Sequence, residues 1–168
     1  MDLISEPLDF YATNIYYTNS SFSKDVYPEN WYQGRPETDL GWAMSPEVMF
    51  WSPKFLYERY GKPIMISENG MAEHDWVCLD GKVHDTYRID YTHRYLLEFE
   101  RAWEEAGVPI MGYLHWSIMD NYEWSEGYDK RFGLIYVDYR TQERIIKDSG
   151  YWYKEVMATN GASLHAAQ

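Results

Sequence analysis

The sequence predicts an α/β fold with parallel strands, in the form of a barrel or an open sheet. Two apolar runs, PIMIS at 63–67 and PIMGYLHW at 109–116, have the length and composition of buried strands. The segment between them has helical periodicity, so the three elements form a βαβ unit, whose strands are normally parallel. With 168 residues, the chain is long enough for one domain and too short for two ordinary ones.

A strand, a long loop and a helix are predicted before this unit. Leu8–Tyr17 is rich in β-branched and aromatic residues, which predicts a strand that ends near Asn14. Residues 22–44 contain Pro, Gly and Asp without a sustained period, as in a long loop. Ser52-Pro53 predicts the start of a helix that ends at Gly61.

The helix of the βαβ unit is predicted from Asp85, as its N-cap, through Ala106. Gly107 and Pro109 then end it. Its apolar face is predicted from spacings of three and four residues. The residues that define this face are Ile89, Leu96, Phe99, Trp103 and Ala106.

A hairpin and a last helix are predicted in the C-terminal part of the chain. The hairpin consists of 133–138 and 144–147, and the helix covers 149–157. We assign residues 1–160 to a single domain and 161–168 to a flexible C-terminal tail.

The composition limits the classes of ligand and compartment. A net charge of -12 argues against nucleic acid, whereas an aromatic content of 18% suits a flat, neutral ligand. Cys78 is the only cysteine, and there is neither a signal peptide nor an apolar run long enough for a membrane span. The histidines show no ligand spacing, so we expect no metal site. From the composition as a whole we expect a cytoplasmic protein with no cofactor and no membrane partner.

Polar and aromatic side chains follow the ends of all three predicted strands. They are Asn14 and Tyr16, Glu68, and Trp116. Because the carboxyl ends of parallel strands share one edge or one end of a barrel, we expect these side chains to converge there. The next segment, 116–133, combines aromatic, acidic and glycine residues in a mixture that is rare in solvated loops. Within it, Asp120 and Arg131 are interpreted as structural, because an Asp in such a place commonly accepts from backbone donors.

Several motifs together resemble those of the family 1 glycoside hydrolases, the retaining β-glucosidases with an eightfold (β/α) barrel. The resemblance covers about residues 5–158, and the combined spacing of the motifs makes it specific. The motifs are Asp9-Phe10 with Asn14-Ile15-Tyr16, Thr38-Asp39 with Gly41-Trp42, Ile66-Ser67-Glu68-Asn69-Gly70, and the run from Trp116 to Gly133.

The resemblance implies a role for each residue of the predicted site. Glu68 would be the nucleophile, and Tyr16 the hydroxyl that orients it and favours its charged form. Asn14 would be an amide close to the same carboxylate. Trp116 would be the platform under the apolar face of the sugar, and the Glu123-Trp124 pair would bind sugar hydroxyls. The implied activity is hydrolysis of terminal β-glucosides or related glycosides with retention.

The resemblance also implies that part of the family's machinery is absent. The acid/base glutamate of the family lies in an Asn-Glu-Pro motif, and no Asn-Glu-Pro occurs in this sequence. The chain corresponds to about the last three of the eight barrel strands, so we expect a partial (β/α)8 barrel from a truncated reading frame. Open strand edges favour pairing with another chain, and we therefore expect a homo-oligomer.

Two other functions remain open at this point. The chain could be a catalytically silent module that binds a monosaccharide, or an inactive barrel fragment that needs a partner half. Formation of a covalent glycosyl adduct on Glu68 would separate the enzyme from both.

Overall fold

The structure, a computed structural model, describes residues 6–18 and 36–166. Three strands and two helices form the first part of the described chain, and a hairpin and a third helix follow. The elements are β1 (Tyr11–Asn14), α1 (Val48–Tyr60), β2 (Ile64–Asn69), α2 (Thr86–Glu104), β3 (Ile110–His115), β4 (Ile135–Val137), β5 (Arg144–Ile146) and α3 (Asp148–Ala158), with short 3-10 helices at Trp124–Glu126 and Ala162–His165.

Strands β1, β2 and β3 form a parallel sheet in that order, which confirms the predicted α/β fold with parallel strands. Asn14 pairs with Glu68 after a register shift in β1, and the β2–β3 pairing has irregularities between Ile64 and Met65 and between Ile66 and Asn69. The backbone ladder is therefore irregular at the edge where the site residues lie. Most of the predicted loop at 22–44 lies outside the described residues.

One hydrophobic core joins the sheet to helices α1 and α2. Ile64 and Ile66 of β2 are fully buried in this core, whereas Met65 and Ser67, on the alternate positions, are half-buried. Because side chains alternate across a strand, β2 presents one face to the helices and the other away from them.

Helix α1 begins earlier than predicted. Ser52-Pro53 is not its start, since Pro53 is buried inside the helix. The main-chain carbonyls of Ser45 and Pro46 accept hydrogen bonds from the N–H groups of Val48 and Met49, at 3.0 and 2.9 Å. An earlier Ser-Pro pair thus begins the helix. Its predicted end is confirmed, because Gly61 caps it with a φ of 61°.

The predicted apolar face of α2 is confirmed at Phe99, which is buried in the core, and is wrong at Ile89 and Trp103. Trp103 is 57% exposed and Ile89 is only half-buried. The buried face of α2 includes tyrosine hydroxyls and an arginine guanidinium, which are hydrogen bonded in the interior. A pattern of apolar residues therefore does not identify this face. The buried positions of α2 are Arg88, Tyr91, Thr92, Tyr95, Phe99 and Ala102.

Asp85 occupies the N-cap position of α2 but makes no capping hydrogen bond with its side chain. Its carboxylate instead accepts from the N–H of Ser149 at 2.8 Å and from the guanidinium of Arg88. The residue that we predicted as a local cap therefore joins α2 to α3.

The hairpin and the last helix are confirmed, as β4 pairs antiparallel with β5 and α3 follows. Of the predicted flexible tail, 161–168, the structure describes residues 161–166. There, Leu164 is buried, its carbonyl lies 2.8 Å from Nε2 of His93, and His165 contacts Glu100. In the described ranges, no helix is long and apolar enough to cross a membrane.

Six charged side chains form a chain of alternating sign through the interior. Lys147 at the start of α3 bonds to Asp75 at 2.6 Å and to Asp120 at 2.8 Å. These contacts link the segments that follow β2 and β3 to α3. The six members, in order of contact, are Asp85, Arg88, Asp75, Lys147, Asp120 and Arg131.

Lys147→Met is expected to lower the free energy of unfolding by about 3–5 kcal/mol, because it leaves two buried carboxylates without a shared cation. Denaturant unfolding followed by circular dichroism measures this change. Lys54→Met is the matched control, since Lys54 pairs with Glu58 at the surface of α1. The control is expected to cost less than about 1 kcal/mol. Equal losses in the two variants would contradict the role of the charged chain.

Candidate active site

Glu68 and Tyr16 are in direct contact at the carboxyl end of the sheet. Glu68 lies near the end of β2, and Tyr16 lies two residues beyond β1. The Tyr16 hydroxyl donates to Oε2 of Glu68 at 2.9 Å. Burial, followed by this hydrogen bond and the charges of Glu68 and Glu123, raises the pKa of Tyr16 above its ordinary value. Tyr16 therefore remains protonated and serves as a donor to the carboxylate.

Asn14 lies beside this pair, opposite Glu68 in the β1–β2 register. Its Oδ1 accepts from the Ser67 hydroxyl at 2.8 Å. The amide nitrogen of Asn14 has no hydrogen-bond partner among the described residues. The structure thus pairs Asn14 with Glu68 in the strand register and leaves the amide nitrogen of Asn14 free for a ligand.

Trp116 and Glu123 interact with each other across the loop that follows β3. The indole N–H of Trp116, the only donor of that side chain, lies close enough to the Glu123 carboxylate to lower its pKa. Burial raises the pKa of Glu123 more strongly, and the charges of Glu68 and Glu126 raise it further. Glu123 therefore lies within electrostatic range of Glu68. The Trp116–Ser117 peptide bond is cis.

Trp124 stands apart from the other predicted residues. It is 79% exposed at the start of a 3-10 helix and has a φ of 43°. Among the described residues, no hydrogen bond or ring contact joins Trp124 to Glu68, Tyr16 or Trp116. Its side chain is therefore accessible to a ligand or another chain.

Two residues next to Glu68 have roles that sequence reasoning missed. Asn69 is the last residue of β2 and is fully buried. Gly70 allows a close approach, because a Cβ atom there would lie 1.8 Å from the Trp116 carbonyl oxygen. The Glu-Asn-Gly pattern is typical of a turn, and the local sequence does not predict that the chain after β3 contacts Gly70.

Asp120 and Arg131 support the loop rather than the ligand site, as we interpreted them. Asp120 is buried and accepts from the N–H of Gly133 at 3.0 Å and from Arg131 at 2.5 Å. These contacts close the loop that carries Glu123. Among the residues that the structure describes, no group of three or more His, Cys, Asp or Glu side chains is arranged to hold a metal ion.

Comparison with known proteins relates this site to one family. The model of the family described as Glycosyl hydrolase family 1 matches residues 1–162 of this chain. This chain belongs to glycosyl hydrolase family 1. Beta-glucosidase A of Thermotoga maritima is 46% identical to it over 165 residues, which cover 96% of this chain and 37% of that protein. A 6-phospho-beta-galactosidase of Streptococcus equi subsp. zooepidemicus is 42% identical over 132 residues, covering 77% of this chain and 28% of that one.

Solved structures of the family have the same fold in the matched region. A beta-glucosidase from Thermotoga maritima in complex with glucoimidazole superposes with a TM-score of 0.84 at 43% identity, covering 95% of this chain and 37% of that chain. The present chain thus spans little more than a third of the length of these family members. The resemblance inferred from the sequence motifs is confirmed at the level of the family.

Gly70→Ala is expected to destabilise the protein and to displace Trp116, because the added methyl group meets main-chain atoms that have little freedom to move. Denaturant unfolding measures the stability, and the tryptophan fluorescence spectrum reports the displacement. Gly112→Ala is the matched control, since a Cβ atom on Gly112 of β3 meets nothing within 4 Å. A harmless Gly70→Ala change would show that the close approach is not required.

Proposed function

We propose that this chain carries the nucleophile side of a β-glycosidase site and that Glu68 is the nucleophile. The observation that carries the proposal is the hydrogen bond from the Tyr16 hydroxyl to Oε2 of Glu68, at 2.9 Å. This bond fixes one carboxylate oxygen, and Oε1 has no hydrogen-bond partner among the described residues. Oε1 is therefore the atom available to attack a sugar carbon.

The proposed reaction has the two steps of a retaining glycosidase. Glu68 attacks the anomeric carbon, a glycosyl ester forms, and the bond to the leaving oxygen breaks. Water then attacks the same carbon and loses a proton to the solvent, which releases the sugar with its original configuration and restores the carboxylate. A carboxylate suits this role because it is ionised at neutral pH and can leave again from the ester.

The side chains around Glu68 suit a β-glycoside ligand. In this proposal Trp116 packs against the apolar face of the sugar ring, and Asn14 donates to a hydroxyl near the reacting carbon. Glu123 accepts from hydroxyls farther away, and Trp124 lies at the outer side of the site. Charge-assisted hydrogen bonds to Glu123 orient the sugar as well as bind it. The two relatives described above carry different sugar names, so the preferred sugar is left to measurement.

The second carboxyl of a retaining site stands about 5 Å from the nucleophile and protonates the leaving oxygen. In the family that the sequence motifs resemble, an Asn-Glu-Pro motif supplies that acid. This sequence has no Asn-Glu-Pro motif. A glycoside whose leaving group departs without a proton does not need the acid. The chain as it stands is therefore suited to activated substrates.

Purified protein is expected to hydrolyse an aryl β-glucoside with an acidic phenol leaving group much faster than an alkyl β-glucoside. The rates are measured as phenol and glucose released, with Glu68→Gln as the matched variant for both substrates. An unchanged rate in Glu68→Gln would overturn the nucleophile assignment. Similar wild-type rates on both substrates would show that an acid is present, and Glu123, whose pKa is raised, would be the first candidate.

The sheet supports a second part of the proposal, a partial (β/α)8 barrel that is completed by another copy of the chain. Within the described residues, β1 and β3 each pair only with β2, so each has one open edge. Met111 and Leu114 on β3 are 56% and 51% exposed, which adds apolar surface to an open edge. Such edges associate readily, and closed symmetry is the usual result.

Light scattering during size-exclusion chromatography is expected to give the mass of a dimer or a larger closed oligomer. Leu114→Lys places a charge at the edge of β3 and is expected to shift the mass towards that of the monomer. Leu79→Lys is the matched control, because Leu79 is fully exposed in the turn at 79–80, between β2 and α2. A monomeric wild-type protein would contradict self-association and favour a separate partner half.

A further inference from the structure

Asn69, the residue after Glu68, has every polar atom of its side chain engaged although it is fully buried. Its Nδ2 donates to the carbonyl of Ile15 at 2.8 Å and to the hydroxyl of Tyr91 at 3.1 Å. Its Oδ1 accepts from the Tyr113 hydroxyl at 2.7 Å. The carbonyl of Ile15 can only accept, which fixes the orientation of the amide.

These bonds lie where the backbone ladder is irregular. The β1–β2 register shifts at Asn14, and β1 ends there. The N–H of Ile15 still reaches the carbonyl of Glu68 at 3.0 Å, but the carbonyl of Ile15 bonds to the Asn69 side chain instead of to a strand. The carboxamide therefore replaces a ladder bond immediately before Tyr16.

Tyr91 of α2 holds the next peptide group. Its hydroxyl donates to the carbonyl of Tyr16 at 3.1 Å and accepts from Asn69. The ring is buried and stacks on that of Tyr95, with a centroid distance of 3.9 Å. A rigid helix thus fixes the main chain of the residue whose side chain reaches Glu68.

We propose that Asn69 and Tyr91 are positioning residues that place the Tyr16 hydroxyl on Glu68. They act through the main chain of Ile15 and Tyr16 and do not contact the proposed sugar site themselves. The role requires a side chain with two donors and an acceptor at position 69, which Asn provides and Asp does not. This inference rests on the proposed function for its effect on catalysis, but its geometry can be tested without a substrate.

Tyr91→Phe is the test variant because it removes one hydroxyl and leaves the ring in place. Tyr95→Phe is the matched control on the same helix, one turn later. Tyr95 is also buried, and its hydroxyl accepts from the N–H of Ser45 at 2.9 Å. It lies close to the Tyr91 hydroxyl but makes no bond to residue 15, 16 or 69, so its loss leaves the bond from Tyr91 to the Tyr16 carbonyl in place. Both variants lose one buried hydroxyl, so similar losses of thermal stability are expected.

The primary readout is the carbon-13 resonance of the Tyr16 ring in protein labelled at tyrosine Cζ, assigned with Tyr16→Phe. Glu68→Gln is expected to shift this resonance in the wild-type background and in Tyr95→Phe. In Tyr91→Phe the same shift is expected to fall to less than half. A full shift in Tyr91→Phe, or no shift in the wild type, would overturn the proposal.

A kinetic readout tests the consequence for catalysis. With an aryl β-glucoside, Tyr91→Phe is expected to lower kcat roughly 5- to 20-fold with little change in KM, since small displacements of a positioned group slow chemistry far more than binding. Tyr91→Phe in a Tyr16→Phe background is expected to have no further effect, because the device acts through Tyr16. Additive losses would overturn the proposal. If the Tyr16 resonance shifts as expected in each variant but the wild-type protein hydrolyses no glycoside, the positioning role stands and only the glycosidase function is overturned.

Discussion

The structure depends most on the buried cation of Lys147, which is shared between Asp75 and Asp120. Asp75 follows β2, Asp120 follows β3, and Lys147 precedes α3, so one ammonium group joins three segments that are distant in sequence. All three side chains are buried, and an unpaired charge there would be costly. The loop after β3 therefore has little freedom relative to β2. This constraint fixes the loop that carries Trp116 and Glu123 relative to the strand that carries Glu68.

A second, neutral network acts on the other side of Glu68. Asn69 and Tyr91 hold the main chain that leads to Tyr16, while the charged chain holds the loop that leads to Glu123. His115 lies at the end of β3, and its buried ring nitrogens have no hydrogen-bond partner among the described residues. Burial, together with the charges of Arg88 and Lys147, lowers the pKa of His115 to about 3. A neutral ring at this position adds no positive charge to the three cations of the charged chain.

The local parts of this arrangement could be predicted from the sequence. The strand before Glu68, the helix end at Gly61 and the hairpin near residue 140 all follow from short patterns, and the structure has them. The contact between Tyr16 and Glu68 came from family motifs, because the two residues are 52 positions apart and no local pattern relates them. Ser52-Pro53 shows the limit of a local signal, since an equivalent pair seven residues earlier starts the helix.

The missed features depend on contacts between distant segments. Gly70 is needed because Trp116 lies against it, and Arg88 is buried because three acceptors from other segments surround it.

The central claim, that Glu68 is the nucleophile, is tested most directly with a 2-deoxy-2-fluoro glucoside that has an activated leaving group. Mass spectrometry of the treated protein is predicted to show one glycosyl group per chain, mapped to Glu68 and absent in Glu68→Gln. Saturable binding without an adduct, or an adduct on another residue, would contradict the account.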